Sequence, residues 1–209
     1  MSLGVVYATF SRDALPAVRA AVGAADLAGA EVALGPVRRE RAELWILRAD
    51  GDPLAPERER AAWAARLGLG DDEAATGAYR AVPLSDRGAP SAPATSAGAV
   101  MVVPFAPPDA AQRDELDRHY EQEHSPLLLA EPAWRRIRRW GLEPLAGPPW
   151  TRLAVHDLAD REALRSPGVA ASMETAWYAR LMERPWYATA GRPPIERVRV
   201  AEDVRHHMC

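Results

Sequence analysis

The stretch Asp86–Ala97 reads DRGAPSAPATSA, and it divides the sequence into two halves. Small polar residues and prolines fill this stretch, so it cannot bury an apolar face and is typical of a linker. The residues on its two sides, 1–85 and 98–202, each predict the same order of elements, β-α-β-β-α-β. Because the two halves share almost no sequence identity, the repeat is one of element order only.

In the first half, β-branched and aromatic residues predict a strand at Leu3–Phe10, and Ser11 after it is suited to cap a helix. We expect core positions for the large aromatic residues Tyr7, Trp45 and Trp63. The other elements of this half are predicted as helices at 11–24 and 56–67 and as strands at 31–37, 43–49 and 78–84.

In the second half, the apolar segment Ala99–Phe105 predicts the first strand. A later helix begins at Ser166-Pro167 and ends before Pro185, since proline is favoured in the first turn of a helix and disfavoured inside it. The other elements are predicted as a helix at 109–125 and as strands at 136–142, 150–158 and 195–201. Residues 203–209 form a tail with no apolar anchor.

Two such units predict an α+β protein. Each unit has an antiparallel four-stranded sheet with helices on one face, which leaves the other sheet face to be covered. The simplest cover is the sheet of the other unit, so the tandem ferredoxin-like (βαββαβ) repeats are expected to form a barrel within one chain, with a cavity between the sheets. The alternative is two independent ferredoxin-like domains joined by a flexible linker.

The composition excludes several classes of protein. A chain of 209 residues with 48% hydrophobic residues can bury a substantial core, and its one cysteine, Cys209, can close no internal disulfide. The net charge of −3 and the absence of a basic block disfavour a nucleic-acid partner. No apolar run approaches the roughly 20 residues of a membrane span, and the N-terminus lacks a signal-like segment, so we expect a cytoplasmic protein without a membrane partner.

His124 is the main candidate for catalysis. It continues an apolar helical stripe, and Pro126 should end or kink the helix at Ser125, which places the imidazole in the last turn. There the helix dipole and Glu121 favour the imidazolium while burial opposes it, so the group should titrate near neutrality and suit a general base or acid. Tyr120 or Glu121 would orient the ring. Alternatively, the ring only caps the helix C-terminus.

No metal site is predicted. His119 lies five residues before His124, about 140° around an α-helix, so the two rings should not share a ligand as an i, i+4 pair would. We expect His119 to face solvent and to pair with Glu115 or Glu123.

Alternation along the segment Trp150–Asp157 places Trp150, Arg152 and His156 on one face and the aliphatic residues on the other. If the aliphatic face packs on the helices, these three side chains point into the cavity between the sheets, where they would suit a flat ligand with a carbonyl or anionic group. Trp140 in the strand RRIRRW is a further candidate for ligand contact. The alternative places Arg152 and His156 at an exposed strand edge.

The motif HYxxEHxPLL at 119–128, the strand RRIRRW and the helical segment SPGVAASMETAWYARLMERPW together resemble the EthD-like branch of the dimeric α/β-barrel superfamily. The resemblance covers residues 98–202. It implies barrels made of two βαββαβ units, a motif histidine at His124 beside the barrel cavity, and a possible homodimer. The helix SRDALPAVRAAVGA of the first half has no histidine, so the resemblance implies one working site, in the second half.

The superfamily that the motif resembles includes several kinds of enzyme, and fold analogy does not choose among them. We favour the hypothesis of a cofactor-independent enzyme that acts on a small aromatic or polyketide-like substrate by proton transfer, as a cyclase, dehydratase, isomerase or decarboxylase of the lyase or isomerase type. His124 would move the proton, and Arg152 or His156 would stabilise the enolate oxygen. The alternatives are a haem protein with His124 or His156 as axial ligand, a cofactor-free oxygenase, and a binding module without turnover.

Overall fold

The computed structural model describes residues 3–25, 27, 30–37, 40–49, 55–69, 75–88, 98–188, 190 and 196–198. The chain forms two compact units. The N-terminal unit is drawn from Met1–Val82, Glu143–Pro148 and Ile195–Cys209, and the C-terminal unit from Pro83–Leu142 and Pro149–Pro194. Within the ranges given above, none of the helices is both long enough and apolar enough to cross a bilayer.

The N-terminal unit follows the predicted order of elements. They are β1 (Leu3–Ser11), a 3₁₀ turn (Arg12–Ala14), α1 (Leu15–Ala24), β2 (Ala30–Pro36), β3 (Arg41–Ala49), α2 (Ala55–Leu67) and β4 (Thr76–Gly88). Strand β1 lies between β3 and β4, and β2 pairs with the other edge of β3, all antiparallel. Strand β4 runs three residues into the predicted linker, and residues 89–97 lie outside the described residues.

The core of the N-terminal unit lies between its sheet and its two helices. Val18 and Val22 of α1 and Trp63 of α2 pack against alternate residues of the strands, including Val6 and Ile46. Each of these five side chains is almost completely buried. Burial also confirms the predicted core positions of the other two aromatic residues of this half, at positions 7 and 45.

The C-terminal unit contains more helical segments than predicted. Its elements are β5 (Ala99–Phe105), α3 (Ala110–His119), a π turn (Tyr120–His124), α4 (Ser125–Leu129), β6 (Trp134–Ala146), β7 (Arg152–Leu158), a 3₁₀ turn (Arg161–Arg165), α5 (Pro167–Met173), α6 (Ala176–Met182) and α7 (Pro185–Ala188). The helix predicted to end before Pro185 is two short helices, α5 and α6, and a third, α7, begins at Pro185. The side chain of Thr175 caps α6 by accepting from the Tyr178 N–H, and this cap separates α6 from α5.

Of the last predicted strand, residues 195–201, the structure describes Glu196–Val198, which form β8 and join the sheet of the N-terminal unit beside β2. The expectation that it closes the second half was therefore wrong. Antiparallel pairing is defined by backbone hydrogen bonds, which almost any sequence can make, so the residues of a three-residue strand carry little information about its partner. The predicted tail, 203–209, lies outside the described residues.

Strand register in the C-terminal unit fixes which side chains face its helices. Strand β7 lies between β5 and β6, and its His156 is directly opposite Met101 and Ile137. Residues directly opposite one another share a sheet face. On this face the apolar core of the unit joins strand residues such as Phe105 and Ile137 to helix residues such as Leu116.

Candidate functional site

A cavity of about 260 Å³ lies in the C-terminal unit, between its sheet and its own helices. The sequence placed the cavity bordered by His124 on the opposite face of the sheet, and the structure corrects this. The residues that line the cavity are Met101, Val103, Phe105, Tyr120, His124, Leu128, Trp134, Leu164, Val169, Ser172, Met173, Tyr178, Met182, Tyr187 and Ala188.

Most of this lining is apolar or aromatic, and none of it is a carboxylate or a guanidinium. Polar groups are few: the imidazole of His124, the indole N–H of Trp134 and the hydroxyls of Ser172 and three tyrosines. The Ser172 hydroxyl donates to the Val169 carbonyl at 2.8 Å, and the Trp134 indole donates to the Ala163 carbonyl at 3.2 Å. An apolar pocket with a few placed polar groups is typical of a small-molecule site, although this volume lies just below the common range.

The π turn determines how the histidines meet. In place of the usual four-residue spacing, the Ser125 N–H bonds to the Tyr120 carbonyl five residues back. Residues five apart thereby come onto one face, and the rings of His119 and His124 stack with centroids 5.3 Å apart and planes at 29°. The prediction that these rings point in different directions was wrong because it assumed a regular α-helix.

The π turn also explains why the helix does not end at Pro126. After the turn, α4 begins a new ladder of hydrogen bonds at Ser125, and Pro126 occupies its first turn. The missing proline N–H has no intrahelical partner to lose there, so the residue is tolerated. At Ser125, where the helix was expected to end, the chain therefore changes from a π turn to an α-helix.

His119 is completely buried, in contrast to the predicted exposure. Its Nδ1 lies 3.4 Å from a carboxylate oxygen of Glu123, one of the two partners expected, but both ring nitrogens lack a hydrogen bond of good geometry. Glu123 is fixed in turn by the Thr175 hydroxyl, which donates to it at 2.6 Å. The ring also contacts Trp177 at 5.5 Å between centroids. An aromatic cluster, rather than water, therefore surrounds this imidazole.

His156 lies on the helix side of the sheet, beneath the cavity lining. Its ring contacts Trp134 at 5.3 Å, Tyr120 at 6.0 Å and His124 at 6.3 Å between centroids. The predicted alternation of β7 holds, but the assignment of its faces was wrong. The aliphatic residues of β7 were expected to pack on the helices. In the structure, imidazole and indole rings pack there instead.

Arg152 shares the face of His156 but is held away from the cavity. Its guanidinium donates to both carboxylate oxygens of Asp117 at 3.0 to 3.1 Å and to the Thr151 carbonyl at 2.9 Å. Arg139 pairs with the same carboxylate, and its guanidinium carbon lies 4.5 Å from the centre of the Tyr120 ring. These arginines therefore surround the site without lining the cavity.

Glu121 is also directed away from the cavity. One oxygen lies 2.6 Å from the Arg87 guanidinium and the other 3.5 Å from that of Arg139. A carboxylate between two arginines is stabilised where it is, so the structure gives it no contact with the His124 ring that it was expected to orient.

Trp140 and Trp150 do not belong to the cavity. Trp140 is buried on the sheet face opposite His156, and the guanidinium carbon of Arg138 lies 5.5 Å from its ring centre. Trp150 precedes β7 and is partly exposed. Of the seven candidates taken from the sequence, Tyr120 and His124 line the cavity and His156 touches both.

Burial keeps the three imidazoles neutral. Desolvation lowers the pKa of His119 to about 4, with the cations Arg139 and Arg180 adding to the effect and Glu123 opposing it. Desolvation and Arg139 lower the pKa of His156 to about 3. The pKa of His124 is held well below its ordinary value by burial first and then by the neighbouring imidazoles and Arg139.

The expectation that His124 titrates near neutrality was therefore wrong. The helix dipole and Glu121 were expected to favour its charged form, but loss of water outweighs both. Burial likewise raises the pKa of the Tyr120, Tyr178 and Tyr187 hydroxyls, which keeps them protonated as hydrogen-bond donors. In the part of the chain that the structure describes, no group of three or more His, Cys, Asp or Glu side chains is placed to hold a metal ion.

Sequence reasoning missed most of the lining. The alternation of Met101, Val103 and Phe105 in β5 could have indicated one wall, since these residues share a face. Tyr178 and Tyr187 gave no comparable signal, because the breaks between α5, α6 and α7 decide where they point.

No protein-family model matches the chain, and no curated protein matches its sequence. Solved structures are similar over nearly its whole length. An anthrone oxidase-like protein is 12% identical with a TM-score of 0.59, covering 95% of this chain and 92% of that one. A monooxygenase-like protein from Listeria innocua is 13% identical with a TM-score of 0.51, covering 95% of each chain.

A third similar structure is an uncharacterized ferredoxin-fold protein related to antibiotic biosynthesis monooxygenases, from Listeria monocytogenes. It is 12% identical with a TM-score of 0.50, covering 94% of this chain and 95% of that one. Identities this low speak to fold alone. The predicted fold class is confirmed: the chain is an α+β protein of tandem ferredoxin-like units, the fold of these similar structures.

Proposed function

We propose that this chain is a cofactor-independent enzyme that transfers a proton to or from a small aromatic or polyketide-like substrate, with His124 as the base. The observation that carries the proposal is the position of His124, whose ring borders an apolar cavity and whose Nδ1 is buried without a partner. Only the Nε2 side of the ring can then meet a ligand in the cavity. A substrate of this size and polarity suits the aromatic lining.

The neutral imidazole is ready to accept a proton at pH 7, but its low pKa makes it a weak base. A suitable substrate therefore has an acidified C–H or O–H, such as a carbon conjugated with a carbonyl. The proton moves to Nε2, and the electron pair moves to the carbonyl oxygen as an enolate forms. The Tyr120 or Tyr178 hydroxyl donates a hydrogen bond to that oxygen, and the ion pair forms in a site with little water.

This assignment changes the roles suggested by the sequence. Arg152 was a candidate for stabilising the enolate and Glu121 for orienting the imidazole, but each is engaged in ion pairs outside the lining. Tyr120 or Tyr178 replaces Arg152 as the partner of the substrate oxygen. His156 and His119 support the His124 ring from two sides.

The fate of the enolate defines the reaction class. Return of the proton to another carbon gives an isomerase, and loss of a leaving group gives a dehydratase or another lyase. The resemblance of the histidine motif to EthD-like proteins supports this class. The names of the structural neighbours, anthrone oxidase-like and monooxygenase-like, support a second candidate, a cofactor-free oxygenase in which the same carbanion reacts with O₂.

Anthrone is a suitable probe, because deprotonation of its methylene places charge on its carbonyl oxygen. Without oxygen and in D₂O, the wild-type protein should accelerate deuterium exchange at that methylene, measured by NMR. His124→Ala should lower the rate at least about a hundredfold, since a positioned base contributes on the order of 10² to 10⁴. Arg165→Ala, at an exposed ion pair, is the matched control. Exchange at the wild-type rate in His124→Ala would remove this base from the mechanism.

Admitting oxygen separates the two candidate functions. Consumption of O₂ together with formation of anthraquinone would identify an oxygenase, and exchange without oxygen uptake would favour a lyase or isomerase. Tight binding of the probe with neither reaction would identify a binding module.

A haem-binding role finds less support in the cavity. Ligand sites commonly measure about 300 to 1,000 Å³, and haem is among the larger ligands. The cavity of about 260 Å³ is smaller than that range. Strong absorbance of the purified protein near the blue edge of the visible would reverse this conclusion.

A further inference from the structure

The methionines of this chain are concentrated at the candidate site. The sequence contains five, and the three in the described part of the chain, Met101, Met173 and Met182, all line the cavity. Met101 lies in the sheet. Met173 is 50% exposed and Met182 is 41% exposed, so these two reach from the cavity to the protein surface.

Their positions in the fold are related. Met173 is the last residue of α5 and Met182 the last residue of α6. The joint between these helices is held in place by Thr175, whose hydroxyl donates to Glu123 at 2.6 Å. Two side chains that are both exposed and part of the lining mark the place where the cavity meets solvent.

We propose that Met173 and Met182 form the entrance through which the substrate reaches His124 and that they determine which molecules pass. The proposal rests on the proposed function for the existence of a substrate. Methionine side chains are unbranched and flexible, so they can move aside for a flat ring and close over it afterwards. Because both are apolar, the entrance favours uncharged aromatic molecules over ionised ones.

Surface exposure of apolar side chains is common and by itself indicates nothing. Val82 and Leu84 are exposed to a similar degree, but neither lines the cavity. This difference provides an internal control, since a general effect of surface polarity should appear at Leu84 as well as at the two methionines.

Stopped-flow fluorescence with 2-naphthol, a neutral aromatic molecule at pH 7, tests the proposal without requiring turnover. In the double variant Met173→Gln, Met182→Gln, association should slow about tenfold, because an amide must be desolvated as the ring passes. The double variant with leucine at both positions, and Leu84→Gln, should each stay within about twofold of the wild type.

A second double variant, Met173→Ala with Met182→Ala, tests the width of the entrance. It should bind a four-ring phenol better, relative to 2-naphthol, than the wild type does, because truncation of both side chains widens the opening. Both positions are exposed enough for these variants to fold, which circular dichroism can verify.

The proposal is overturned if neither the glutamine nor the alanine pair changes association or size preference. It is also overturned if Leu84→Gln slows association equally. Failure of the entrance is distinguishable from failure of the proposed function: the first leaves the loss of exchange in His124→Ala intact, whereas a wild-type protein that neither binds 2-naphthol nor exchanges anthrone contradicts both.

Discussion

The two units share an order of elements but differ in what lies between sheet and helices. In the N-terminal unit, α1 is a regular helix, and Val22 and Trp63 are almost completely buried in an apolar layer. Residues 1–82 contain no histidine. In the C-terminal unit the equivalent layer contains three imidazoles and a cavity. The same order of elements thus forms a packed apolar layer in the N-terminal unit and a candidate site in the C-terminal unit. The units differ in the helix after the first strand, which is regular in the N-terminal unit and runs into a π turn in the C-terminal unit.

Packing in the N-terminal layer is tested by Trp63→Ala. The side chain is 1% exposed, so its loss should lower the free energy of unfolding by about 3 to 5 kcal/mol. Urea unfolding followed by circular dichroism measures this, with Val82→Ala at an exposed position as the control, expected within about 0.5 kcal/mol of the wild type. A loss below about 1 kcal/mol for Trp63→Ala would mean that this layer is not tightly packed.

Among its described residues, the N-terminal unit contains no π turn like that of Tyr120–His124. Inserting an alanine after the exposed Gln122 should place the two histidines six residues apart, which turns His119 away from His124 in an α turn and in a π turn alike. We expect anthrone exchange to fall about a hundredfold, as in His124→Ala, because the base no longer faces the cavity beside its stacking partner. Inserting an alanine after Arg58, an exposed residue of the unbroken helix α2, is the matched control for the gain of one helical residue. Full activity after the insertion at Gln122 would show that the stacking of the two histidines is dispensable.

Buried neutral histidines should make stability depend on pH. In the unfolded chain, His119 and His156 take up protons as the pH falls through about 6.5, whereas in the folded protein their pKa values are about 4 and about 3. Stability is therefore constant above about pH 7 and falls by about 1.4 kcal/mol per pH unit for each histidine below pH 6.

Urea unfolding between pH 7 and pH 5, where exposed carboxylates stay ionised, measures this slope. His119→Phe and His156→Phe should each reduce it by about 1.4 kcal/mol per pH unit, since phenylalanine binds no proton. An unchanged slope in both variants would mean that water reaches these rings. The catalytic rate should likewise stay flat until the pH is well below 6.5, because the pKa of His124 is lowered as well.

Much of the fold was accessible from the sequence because periodicity is a local property. The strand of Ala99–Phe105 was predicted to the residue, and most other strands within a few residues. The motif around His124 also led to a residue that lines a cavity, although that cavity lies on the other face of the sheet from the one expected. The predicted alternation of residues along β7 was correct as well, but the face assigned to the helices and the opposite face were exchanged.

The remaining errors concern interactions that a local pattern does not encode. A π turn differs from an α-helix by one hydrogen-bond spacing, which the residues Tyr120–His124 do not reveal. The neutrality of His119 depends on neighbours brought together from α6 and β6, including Trp177 and Arg139. Such contacts exist only once the chain has folded, so both the site geometry and its electrostatics had to come from the structure.

A last difference between the units lies in their second helices. Helix α2 is unbroken over Ala55–Leu67, whereas its counterpart is divided by Thr175, which caps α6 and ties it to Glu123. Thr175→Val removes both hydrogen bonds and should lower the free energy of unfolding by about 1 kcal/mol. Thr175→Ser keeps the hydroxyl, and its free energy of unfolding should stay within a few tenths of a kcal/mol of the wild-type value. Equal stability of the valine variant and the wild type in urea would show that packing of α6, rather than this hydroxyl, divides the helix.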